Sequence, residues 1–214
     1  MIELWHSPDA RSFRVLWALE ELGLPYDLHL LPFPPRARAP EYLQVNPLGT
    51  IPAMRDGATF MTESAAIVQY LATRYGPTDL VVSVDDPAYG AWLNWLHFGE
   101  ATLTFPQTLV LRYRQLEPGR AEHVADDYAR WFMSRLRHVD RALQAGGWLC
   151  AGRFTAADIS VGYALLLANH LKLNERFTPA VTDYWLRVSA RPAFQAAKRV
   201  QERDLATEIA AFLA

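Results

Sequence analysis

Apolar and polar positions follow two different rhythms along this chain, one up to residue 78 and another after residue 86. The first part reads as short strands and helices in alternation. Ile2-Glu3-Leu4-Trp5 predicts a first strand, and His6-Ser7-Pro8-Asp9-Ala10-Arg11-Ser12 a loop. The next apolar stripe predicts a helix over 11–22, stopped by Gly23 and Pro25. Residues 26–31 alternate weakly and suit a second strand. Residues 32–40 contain Pro32, Pro34, Pro35 and Pro40, which argues for a surface loop and against helix or central strand. A short helix over 41–45 is ended by Asn46-Pro47, because the residue before proline is pushed out of the α region. Two short strands joined at Asp56-Gly57 follow. Glu63-Ser64 then opens a helix whose apolar face is Ile67, Tyr70, Leu71 and Tyr75, closed by Gly76-Pro77. The predicted order is β-α-β-α-β-β-α. A strand–helix–strand start implies a right-handed parallel crossover, and the hairpin adds antiparallel strands, an α/β thioredoxin-like arrangement.

The second rhythm contains no convincing strand. Residues 79–86 are polar and irregular and read as a linker between a domain at 1–78 and an all-α helical bundle at 87–214. Residues 87–116 predict a long helical segment bent at Pro106, where an internal hydrogen bond is lost. Val124, Tyr128, Phe132, Leu136, Val139 and Leu143 keep a helical period up to Gly146-Gly147. Phe154-Thr155-Ala156-Ala157-Asp158-Ile159 is a strong helix start: Thr155 fits the N-cap, Asp158 the reciprocal third position, and Phe154 with Ile159 a hydrophobic staple. The helix it opens is apolar nearly all round and predicts the buried centre of the bundle. Outer helices are expected over 178–190 and 192–203.

Composition narrows the chemistry. With 51% hydrophobic and 21% charged residues over 214 positions, the chain can bury a real core. A formal net charge of −2 and only short arginine pairs argue against a nucleic-acid partner. The single cysteine, Cys150, makes no internal disulfide, excludes a CxxC or cysteine-rich zinc site, and sits in apolar surroundings that favour a small buried hydrophobe. No apolar run reaches the length of a membrane span and no signal peptide opens the chain, so a cytoplasmic location is expected. No metal is expected either. Residues 46–64 concentrate the local signals: an X-Pro bond at Ile51-Pro52, a tight hairpin, and a helix N-terminus whose free N–H groups suit an anion.

A thioredoxin-like half carrying NPxGxIPA and then Glu63-Ser64, joined to a helical half carrying FTxAD, resembles the cytosolic glutathione transferases. The run RVLWALEELGLPYDL is similar to the first helix of bacterial and fungal members. The resemblance spans the whole chain in the right order. It implies that glutathione is a co-substrate bound in the first domain. Ile51, before a proline that is cis in the family, would offer its backbone to the cysteinyl part like an added strand, with Pro52 and Thr50 beside it. Glu63 would face the γ-glutamyl ammonium, and the Ser64 hydroxyl and helix amides its carboxylate. Arg38, or else Arg36, would reach the glycine carboxylate. A homodimer and an apolar electrophile as second substrate are also implied.

Thiolate activation departs from the family pattern. Related sequences of serine type carry a serine just before the arginine, where this chain has Ala10. With a reference thiol pKa of about 8.5, only about 3% is thiolate at pH 7, so an activating group is required. The nearby candidates are Ser12, then Ser7, then Arg11, with His6 a further cation. Asp9 would repel a thiolate and is expected to point away. On the long helical segment, Trp95, Phe98, Thr102, Phe105, Leu109 and Tyr113 recur near one face, and Phe105 and Tyr113 are the expected co-substrate contacts. The expected activity is conjugation of glutathione to an apolar electrophile or reduction of a peroxide. Glutathione-dependent isomerisation or dehalogenation uses the same thiolate, and Ala10 favours a binding protein without transferase chemistry.

Overall fold

The computed structural model describes residues 1–213, and side chains for residues 1–202. Its internal contacts divide the chain into two units, Met1–Thr78 with Ala190–Ala214, and Asp79–Ser189.

The first unit is built on four strands: β1 (Ile2–His6), β2 (Tyr26–Leu30), β3 (Ala53–Asp56) and β4 (Thr59–Met61), in the order β2-β1-β3-β4. β1 and β2 are parallel, as the crossover through helix α1 (Phe13–Leu22) requires, while β3 runs antiparallel to both β1 and β4. Asp56 pairs with Thr59, so the hairpin turn is Gly57-Ala58, one residue later than the sequence suggests. Gly57 supplies the positive φ (58°) that a tight hairpin needs at its first central position. The proline-rich stretch also differs from expectation. Pro35–Arg38 forms one helical turn, α2, whereas the short helix expected over 41–45 is present as a 3₁₀ turn over Pro40–Gln44. Both start with proline, which is favoured at the first helical position because the missing N–H would find no intrahelical acceptor there.

Helix α3 (Ser64–Arg74) packs with α1, and α1 in turn packs on β1 and on the final helix, α9 (Pro192–Leu213). The α1–α9 contact has an apolar and a polar component. Phe194 meets the rings of Phe13 and Trp17 edge-on, at 5.1 and 5.0 Å. Beside them the Arg191 guanidinium forks onto both Glu21 carboxylate oxygens at 2.6 and 2.8 Å, a bidentate geometry stronger than a single ion pair.

The second unit is helical: α4 (Tyr89–Phe98), α5 (Phe105–Leu111), α6 (Glu122–Gly146), α7 (Ala156–His170) and α8 (Pro179–Ser189). The segment expected to bend at Pro106 runs from α4 into α5 through a π-helical stretch, Gly99–Thr104. Widening the helix just ahead of the proline accommodates its ring and its missing N–H. Here α4 and α7 approach closely. Ser160 Oγ donates to the Leu96 carbonyl at 2.6 Å, and a Cβ on Gly99 would lie 2.6 Å from the Ser160 backbone. Helix α7 is buried along nearly its whole length, and its capping box forms: Asp158 accepts from Thr155 N–H (2.8 Å) and Oγ1 (3.1 Å). The Tyr184 hydroxyl also donates to Asp158 at 2.8 Å. Burial pushes this carboxyl up to about 6 against the pull of those hydrogen bonds.

Candidate glutathione site

One end of the sheet gathers the segments of interest in the first unit. The last registered pairs, Trp5↔Ala53 and Met54↔Met61, put the residues that leave β1, enter β3 and leave β4 at the same end of the sheet. The exit of β1, the entry of β3 and the N-terminus of α3 therefore meet at one edge. An apolar cluster of Trp5, Ala39, Tyr42, Ile51 and Ala53, with Ala10 packed against it, ties the β1–α1 loop to the segment after Arg38.

The approach to Ile51 is held by polar groups. The Asn46 amide donates to the Thr50 carbonyl at 2.8 Å and the Tyr42 hydroxyl donates to the same oxygen at 2.7 Å. Asn46 Oδ1 accepts from the Leu48 N–H at 3.1 Å. Thr50 itself is exposed, and its Oγ1 also accepts from the Asn46 amide at 3.3 Å. Gly49 has φ 61°, and a Cβ there would fall 2.7 Å from Arg36 Cβ, so only glycine lets this loop lie against α2. The Ile51–Pro52 bond is cis, as are Phe33–Pro34 and Gly76–Pro77. Arg38 and Arg36 are exposed at the end of α2.

At the start of α3, Glu63 is the N-cap, extended and exposed, with no side-chain cap of its own. Ser64 is buried, and its hydroxyl accepts from Arg14 Nη1 at 3.1 Å. Arg14 is fully buried on α1. An arginine inside an apolar helix stripe is itself the sequence signal, since such a charge is buried only beside polar partners.

The β1–α1 loop closes on itself. Ser12 is fully buried, its Oγ accepts from the Ser7 N–H (3.2 Å) and donates to the Ser7 carbonyl (3.4 Å). Ser7 Oγ and His6 Nδ1 are buried without a hydrogen-bond partner. Asp9 takes φ 53°, and its carboxylate turns into Lys198 and Gln201 of α9. Arg11 is half-buried. Burial lowers the His6 imidazole to about 4 against the hydrogen bond to Gln201, so it is neutral at physiological pH.

In the second unit, Leu93, Asn94, His97, Phe98, Ala101 and Thr102 line an open groove of about 390 Å³ along α4 and the π-helical stretch. Phe105 and Tyr113 lie outside it: Phe105 is exposed, and Tyr113 sits under the Arg112 guanidinium at 5.5 Å. Cys150 is buried 3.8 Å from Thr155 Oγ1, and burial pushes its thiol up, as for an inert core cysteine. Among the described residues there is no cluster of three or more His, Cys, Asp or Glu able to hold a metal, and no helix long and apolar enough to cross a membrane.

Comparison with known proteins gives the site its context. The family model for the glutathione S-transferase N-terminal domain matches residues 10–74. Glutathione S-transferase 3 of Zea mays is 31% identical over 195 residues, covering 85% of this chain and 86% of the maize protein. The chain belongs to the glutathione S-transferase family. The structure of a glutathione transferase from Methylococcus capsulatus superimposes with a TM-score of 0.85 at 27% identity, over 94% of this chain and 99% of that one. The transferase URE2P6 of Phanerochaete chrysosporium, solved in complex with oxidized glutathione, gives 0.83 at 27% identity over 94% and 96%. A thioredoxin-like sheet followed by helices is thus the transferase fold. These relatives are diverged enough that residue roles in this transferase rest on its own geometry.

Proposed function

We propose that this transferase binds glutathione at the sheet end formed by the β1–α1 loop, Ile51–Pro52 and Glu63-Ser64, and conjugates its thiolate to a small apolar electrophile. The observation that carries the reading is the strand register, which gathers those three segments at one edge. In it, the Ile51 backbone pairs with the cysteinyl part beside Pro52 and Thr50, Glu63 faces the γ-glutamyl ammonium, and Ser64 with the first amides of α3 faces the carboxylate. Arg14, donating to Ser64, adds positive charge behind that carboxylate. Arg38 serves the glycine carboxylate from the neighbouring turn.

For the sulfur, Ser12 contributes its N–H and not its hydroxyl, because Oγ is already turned to the Ser7 backbone. The first amides of α1 already donate to loop carbonyls (Phe13 N–H to Ala10 at 2.8 Å, Val15 N–H to Ser12 at 3.0 Å). In this reading the helix dipole and the adjacent Arg11 guanidinium therefore hold the negative charge beside the Ser12 N–H, and Ser7 lies in the same loop. Lowering the thiol pKa by two units requires about 2.7 kcal/mol of preference for the thiolate. The second substrate in this reading is a small apolar electrophile. Peroxide reduction and isomerisation draw on the same thiolate. The enzyme acts in the cytoplasm as a homodimer.

Calorimetric titration with glutathione, followed by conjugation to an activated aryl halide, tests this. Saturable binding with turnover supports it, and no binding rejects it. Ala10 favours a second reading, a glutathione-binding protein without conjugation chemistry. Binding with a thiol that ionises no lower than in free glutathione would select that reading.

A further inference from the structure

The loop proposed to hold the sulfur is not self-supporting. Asp9 occupies the left-handed region (φ 53°), which residues with a Cβ disfavour. It is held there from α9. Lys198 Nζ lies 2.8 Å from each Asp9 carboxylate oxygen, and Gln201 Nε2 donates to Oδ1 at 2.8 Å. Gln201 Oε1 accepts in return from the Asp9 N–H at 3.3 Å and meets His6 Nε2 at 3.0 Å. One buried glutamine thus joins the end of β1 to the loop, and one lysine neutralises the loop's only carboxylate. Lys198 and Asp9 are about a quarter and a third exposed (25% and 35%), so their attraction is only partly screened.

We propose that Lys198 and Gln201 are positioning residues of the transferase: they fix the β1–α1 loop and turn the Asp9 carboxylate away from the glutathione sulfur. Ala10, next in the chain, packs toward Ile51, so an uncompensated Asp9 carboxylate would stand within one residue of the proposed thiolate. The other charged or titratable groups of the loop are Arg11 and His6. The inference rests on the glutathione reading above and adds to it a part of the chain more than 180 residues away in sequence.

The test is the ionisation of bound glutathione, read from thiolate ultraviolet absorbance against pH, in the wild-type protein and in Lys198→Met, Lys198→Arg and Asp9→Asn. Lys198→Met removes the cation from Asp9 and leaves the Gln201 hydrogen bond, and the bound thiol is expected to ionise about one unit higher, a tenfold smaller thiolate fraction at low pH. Lys198→Arg keeps the charge and is expected to stay near wild type. Asp9→Asn removes the carboxylate, leaves the lysine cation, and is expected to move the thiol the opposite way, downward. A merely structural clamp would lower the melting temperature without these opposed shifts. Wild-type-like ionisation in both Lys198→Met and Asp9→Asn overturns the proposal while leaving the glutathione reading intact. If Lys198→Met does not fold, Asp9→Asn decides alone: no downward shift overturns the proposal. Failure of the wild-type protein to bind glutathione overturns both.

Discussion

Ser12 and Ala10 define the chemical question at the scale of single residues. A serine hydroxyl one step inside α1 is the obvious stand-in for the missing family serine, yet it is spent on the Ser7 backbone. Ser12→Ala is therefore expected to destabilise the protein by about 1 kcal/mol while moving the bound-thiol pKa by less than about 0.3 units. A rise of a unit or more would make the hydroxyl the activator. Ala10→Ser restores the family residue beside Ile51, and a hydroxyl donor to the sulfur should lower the bound-thiol pKa by roughly 1 unit. His6 supplies a pH test. Its folded pKa of about 4 lies below the unfolded value near 6.5, so the unfolded state binds the extra proton first. Its contribution is complete above pH 6.5 and is lost as pH falls toward 4. Denaturant unfolding should show wild type losing about 2–3 kcal/mol more than His6→Gln between pH 7.5 and 4.5. The paired comparison cancels Asp158, whose raised pKa acts in the opposite direction.

At the scale of elements, the succession of strands and helices along the chain was legible because period and punctuation are local. The capping box at Thr155 and Asp158 was readable for the same reason. The one-turn helix over Pro35–Arg38 was not, since proline excludes helix interiors but favours helix starts. The candidate site divided along the same line. Ile51, Pro52, Glu63 and Ser64 carry local signals, whereas Arg14, Asn46, Lys198 and Gln201 act through partners set by packing. Two glycines test how tightly the elements approach. Gly49→Ala puts a Cβ at positive φ against Arg36, and should cost about 2 kcal/mol and weaken glutathione binding in calorimetry. Gly99→Ala, against the Ser160 backbone, should cost about 2–3 kcal/mol of unfolding free energy by urea denaturation, with little change in glutathione affinity.

For the whole molecule, the final helix carries information that sequence order hides. Its apolar period announces only another outer helix, while Phe194, Arg191, Lys198 and Gln201 fasten it to α1 and to the loop before it. Both ends of the chain thus build one unit. The central claim is that this unit binds glutathione and stabilises its thiolate without a serine at position 10. The pH titration of thiolate absorbance in the wild-type complex tests that claim most directly. A bound thiol ionising about two units below free glutathione is the result expected; ionisation at the free value would contradict it.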